Sequence, residues 1–141
     1  EFAGQRGIAY GGPDLSDRNL RVLSALRAEQ SATGSEAAAV EISATGNICS
    51  GRMAVEYLLR GCTSFQIHTF FQVPQDVYPG RSGGRLQRAL HTLYFHPEEG
   101  LIVWLLWAAR RLGLEDRPVR LLDLAALGSR SDFGHFDPQS A

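Results

Sequence analysis

The sequence predicts a parallel α/β fold, and three observations predict it. Short apolar stretches alternate with segments of helical spacing, as crossover units with parallel strands require. A glycine-bearing turn, "GNICSG", follows one of those stretches directly and opens a helix. The chain has 141 residues, 44% of them hydrophobic, which is enough for one compact core rather than a disordered segment.

In order, a stub Ile8-Ala9-Tyr10 ends at Gly11-Gly12-Pro13, and "DLSDRN" offers Asp14 or Ser16 as an N-cap. Leu20, Leu23 and Leu26, with Val22 beside them, give the helix that follows an apolar face up to about Ala28. "EQSATGSEAA" reads as a loose linker. Strand character runs from Ala39 to Thr45, and a helix from about Ser50 to Arg60. Its buried stripe is Met53, Ala54, Tyr57 and Leu58, and Gly61 closes it. "SFQIHTFF", Ser64 to Phe71, reads as a second largely buried strand. A long loop, "QVPQDVYPGRSGG", leads to a helix near Arg85 to Tyr94 and a break at His96-Pro97. Pro97, Glu98 and Glu99 then suit the first turn of a very apolar helix. Residues 1–127 form one domain on this reading, and 128–141 a polar tail.

Composition excludes several classes of function. Fourteen basic residues stand against fifteen acidic ones, a net charge of -1, and the arginines are scattered, so nucleic acid is not expected as a partner. Every basic side chain is arginine, so no lysine is present to form a Schiff base. The longest apolar run, Leu101 to Ala109, is about half the ~20 residues of a membrane span. Cys49 and Cys62 suit neither a disulfide scaffold nor a zinc site and point to a reducing, cytoplasmic setting. The chain opens without methionine and reads as part of a longer protein.

Chemistry concentrates at the strand ends. In a parallel layer, ligands bind beyond the carboxyl ends of the strands, where a glycine turn exposes backbone N–H groups to an anion. In "TGNICSG", Gly46 permits positive φ or close approach, Asn47 tolerates the left-handed region, and Ser50 can cap the helix or contact an anion. An ordinary βα connection has the same appearance. The next strand end, Gln66-Ile67-His68-Thr69, faces the same anion if the two strands are neighbours. Cys49 is either a thiolate favoured by a helix N-terminus or a small packing residue. His91, His96 and His135 lack metal-ligand spacing and read as surface or capping histidines. Trp104 and Trp107 form a core or subunit-interface stripe, so a homo-oligomer is among the expectations.

"GGPDLSDRNLRVLSALR", "ISATGNICSGRMAVEYLLRGCTSFQIHTFF" and "RLQRALHTLYF" together resemble the last third of the FMN-dependent dihydroorotate and dihydropyrimidine dehydrogenase family. Residues 8 to about 94 follow the family pattern of turns in order. The resemblance implies the C-terminal portion of a (β/α)8 TIM barrel, about three βα units followed by extra C-terminal helices. It also implies FMN as cofactor, a pyrimidine-like substrate and hydride transfer at the C5–C6 bond. By the same resemblance Gly12 approaches the ribityl-phosphate, Gly46 and Asn47 supply N–H groups to the phosphate, and His68 and Thr69 complete the cradle. Asn47 stands where the family usually has a second glycine, and His68 where a small residue is usual. No residue here matches the family's catalytic cysteine, serine or lysine, so the chain is expected to be inactive alone. Alternatives are another FMN barrel such as a tRNA-dihydrouridine synthase, or a non-catalytic half-barrel module without flavin.

Overall fold

The computed structural model describes residues 15–33, 41–72, 82–114 and 116–128. They form a mixed α/β structure, mostly helical, in the order α1 (Leu15–Thr33), β1 (Ser43–Thr45), α2 (Gly51–Leu59), β2 (Ser64–Gln66), α3 (Thr69–Gln72), α4 (Arg85–Phe95), α5 (Leu101–Leu112) and α6 (Leu121–Gly128). The two strands pair in parallel, Ser43 with Ser64, Ala44 with Phe65 and Thr45 with Gln66. The expected parallel arrangement is therefore present for this pair. The described residues contain this two-stranded sheet and not a barrel wall. The expected first strand near Ile8, with Gly12, lies outside the described residues.

Helix α2 is the centre of the structure. Ser50 caps it, its hydroxyl accepting from the Met53 N–H at 3.1 Å. Its exit is a Schellman motif: Gly61 donates to Leu58 and Cys62 to Tyr57, with Gly61 at φ +79°. Ala54, Val55, Tyr57, Leu58 and Leu59 are all buried, so the helix is covered on more than one face. One core cluster joins Val55, Leu58 and Leu59 to Ala108 of α5 and Leu124 and Leu127 of α6. A second joins Ala54, Tyr57 and Cys62 to Ala44 and Ile48, with Leu20 and Leu23 of α1 packed against it. Trp104 and Trp107 are half-buried beside the first cluster, with the Arg52 and Arg111 guanidiniums 5.4 and 5.8 Å from their ring centroids.

The structure corrects five expected boundaries. Strand β1 is confined to Ser43–Thr45, where its three pairings with β2 are made, and the described residues 41 and 42 of the expected Ala39 to Thr45 strand are not part of it. Helix α1 continues to Thr33, five residues past Ala28, because neither glycine nor proline interrupts Glu29 to Thr33 and Gln30 accepts from Arg27 one turn earlier. Ser16 is inside this helix and buried rather than preceding it, and Asp14 lies outside the described residues. Strand β2 stops at Gln66 instead of Phe71: its partner ends at Thr45, so no neighbour continues the ladder, and Phe71 donates to the His68 carbonyl as α3 forms. Helix α5 begins at Leu101, not at Pro97. The Glu98 and Glu99 N–H groups donate to His96 Nδ1 at 3.2 and 3.0 Å and Gly100 donates to the His96 carbonyl, so residues 96–100 form a single closed turn that does not run on into the helix. His96 is also the C-cap of α4, its N–H donating to the Thr92 carbonyl, the capping one of the two roles the sequence leaves open for it.

Among the described residues, no helix is long and apolar enough to cross a membrane.

Candidate functional site at the carboxyl edge of the parallel pair

The register places the ends of β1 and β2 side by side, so the turn beginning at Gly46 and the segment beginning at Ile67 leave the sheet at the same edge. Gly46, Asn47, His68 and Thr69 are therefore brought to one place. Gly46 has φ +97° and Asn47 φ +47°; among the described residues Asn47 is the one non-glycine with positive φ. Asparagine is among the residue types that enter this region at least cost. Two successive left-handed residues bend the chain sharply between strand and helix.

Helix α1 covers one side of this turn. The Asn19 amide donates to the Thr45 carbonyl at 2.7 Å, and Asn47 Nδ2 donates to Ser16 Oγ at 3.4 Å. A Cβ on Gly46 would stand 2.9 Å from Asn19 Nδ2 and 3.0 Å from Leu15 Cβ. The α1 side of Gly46 is thus closed; His68 and Thr69 stand at the end of the neighbouring strand. There the His68 side chain is exposed and lies 3.1 Å from the Gln72 amide, four residues on, while Thr69 is exposed at the start of α3.

The N-terminus of α2 is not a donor site. Gly51 and Arg52 both donate to the Glu99 carbonyl, at 2.7 and 3.2 Å, Met53 donates to the Ser50 hydroxyl and Ala54 to the Ser50 carbonyl. All four first-turn N–H groups have protein acceptors. Gly51 is the residue that permits this, since a Cβ there would fall 1.8 Å from the Leu101 nitrogen. Of the two roles open to Ser50, capping is the one it fills. An anion at this edge therefore has no donors in the first turn of α2.

Cys49 is exposed, contrary to the packing role considered for it. Partial burial of its thiol raises the pKa, a backbone hydrogen bond opposes the rise and the Glu99 carboxylate adds to it, so the thiolate is disfavoured. Cys62 is buried, and burial raises its thiol likewise against the pull of Arg27 and Arg60. Gly12 lies outside the described residues. Among those described, no group of three or more His, Cys, Asp or Glu stands ready to hold a metal ion.

Asn19 and the Glu99 carbonyl join this neighbourhood without any local sequence signal, and helical periodicity marks Tyr57 as buried but not as a partner of the turn. Their contacts with the turn cross gaps that periodicity does not encode. Comparison of the chain with protein-family models, with curated proteins and with solved structures finds no match.

Proposed function

We propose that this chain supplies part of an FMN-binding site, gripping the phosphate of the cofactor at the carboxyl edge of β1 and β2 as the C-terminal portion of a flavin-dependent TIM barrel. One observation carries the reading: two turns leave neighbouring parallel strands together, and the first holds successive left-handed residues at Gly46 and Asn47. Parallel α/β layers bind phosphates at such edges. On this reading the phosphate lies on the His68 side, near the Gly46–Asn47 turn, the His68 ring and the Thr69 hydroxyl, the last two of which are exposed. The residues present do not fit one on the α1 side, which Leu15 and Asn19 fill. FMN, when bound, would carry the hydride between donor and acceptor. The family resemblance makes the acceptor or donor the C5–C6 bond of a pyrimidine in a cytoplasmic flavoenzyme, with the catalytic groups outside this chain.

Flavin fluorescence tests the phosphate grip. Titration with FMN and with riboflavin should show FMN bound at least tenfold more tightly, because the two differ only in the phosphate. Equal affinities, or none for either, would remove the reading.

A second reading, a non-catalytic module that retains the βα turn, is favoured by the Glu99 carbonyl. That group already occupies the α2 N–H donors that many phosphate sites use. The same titration separates the two.

A further inference from the structure

We infer that Tyr57 is a positioning residue for this site, its hydroxyl fixing the direction in which the Gly46 and Asn47 N–H groups point. The inference rests on the phosphate-binding reading above. Tyr57 is fully buried, at 0% exposure, on the face of α2 beneath the turn. Its hydroxyl lies 3.0 Å from the Gly46 carbonyl oxygen and 3.2 Å from that of Thr45, sharing one proton between them. The Asn19 amide holds the Thr45 oxygen from α1.

No peptide bond here is cis. In a trans peptide the C=O and the following N–H point in opposite directions. Holding the Thr45 oxygen therefore turns the Gly46 N–H away from Tyr57, and holding the Gly46 oxygen does the same for Asn47. A flip of either peptide would turn a two-acceptor hydrogen bond into a single one, and only a turn that lost both carbonyls would leave the buried phenol an unsatisfied donor, so the hydroxyl favours the observed orientation of both peptides together. Packing needs only the ring of residue 57. The hydroxyl is needed for the turn. Burial also keeps the phenol protonated, and hence a donor.

The test is Tyr57→Phe in the whole chain, followed by backbone NMR during titration with inorganic phosphate. In the wild type the Asn47 amide should shift and saturate. In the variant the Gly46 carbonyl carbon should move in the absence of phosphate, and phosphate affinity should fall about fivefold to tenfold, as for one lost neutral hydrogen bond. A merely structural tyrosine would lower the melting temperature and leave the affinity of the folded protein unchanged; that result overturns the inference and spares the reading. A wild-type Asn47 amide that ignores phosphate overturns both. If Tyr57→Phe does not fold, amide exchange in the unliganded wild type decides. An Asn47 N–H turned outward exchanges rapidly, whereas protection equal to that of the α2 interior would show that the peptide is not held as inferred.

Discussion

Replacing Asn47 with aspartate should move stability and ligand affinity in opposite directions. The two side chains have the same shape and both tolerate the left-handed conformation that residue 47 adopts at φ +47°. The contact to Ser16 Oγ at 3.4 Å survives with its direction reversed, the hydroxyl now donating to the carboxylate. Ser16 lies in the first turn of α1, where a negative charge is favourable by about 0.3–1 kcal/mol. The fold should therefore be unchanged or slightly more stable. A phosphate on the other side of the turn, at roughly 6 Å, meets a repulsion of ~0.7 kcal/mol per unit charge in water and ~2.8 kcal/mol at an effective dielectric of 20. Affinity should fall between about threefold and a hundredfold, and the loss should shrink as salt is added. Gly46→Asp is a poorer probe. It imposes a Cβ at φ +97° and against Asn19 and Leu15, so unfolding and repulsion would be confounded. The assay is FMN titration by flavin fluorescence at two ionic strengths, beside thermal melts by circular dichroism. A folded Asn47→Asp protein with wild-type affinity at low salt would refute the placement of the phosphate.

Arg27→Ala should destabilise the protein by about 2 kcal/mol, since the guanidinium donates to the Arg60 carbonyl at 2.9 Å and the Gly61 carbonyl at 3.0 Å beyond the end of α2; lysine should not restore it, having no planar fork. Denaturant unfolding of the three proteins checks this. Asp123 accepts from both Arg117 and the Arg120 N–H, and the Arg117 hydrogen bond leads the causes that lower its carboxyl pKa. A lowered acid is stabilising above its unfolded pKa near ~3.9 and loses that contribution as pH falls through the folded value. Helicity lost from α6 below pH ~4 should accordingly be insensitive to pH in Asp123→Asn, as carbonyl NMR shifts of α6 would record. Under native conditions a thiol reagent should modify Cys49 and leave Cys62 until unfolding, because the first is exposed and the second buried; equal rates would contradict the packing of Cys62 against Tyr57.

How much of this was legible depended on whether the cause was local. Ser50, Gly61 and the stripe through Ala54, Tyr57 and Leu58 carry caps and periodicity within one helix, and α2 follows from them. The left-handed turn was legible in the glycine and asparagine at 46 and 47 for the same reason. The length of β2 was not, because a strand ends where its neighbour ends, and "SFQIHTFF" contains no record of Thr45. Glu98 and Glu99 suit a helix start, and their N–H groups do take a side-chain acceptor, His96 Nδ1, yet the turn closes on itself at Gly100 and the continuous helix begins only at Leu101, an outcome that residue types alone do not encode. At the candidate site the residue types were readable. What was not is which donors are free to act, since the carbonyl that occupies the start of α2 comes from Glu99 in a different element.

That carbonyl has a kinetic consequence. Helix α2 is held at its start by the closed turn before α5 and beyond its end by Arg27 of α1, a partner 33 residues from Arg60. A nine-residue helix is too short to persist in water by itself. It must wait for segments on both sides of it in the chain, and these distant closures make its appearance slow relative to α1 or α5. Once formed, it should open only when its neighbours do. Amide exchange across α2 should then proceed at one common rate set by the opening of the whole assembly, with little fraying at either tip.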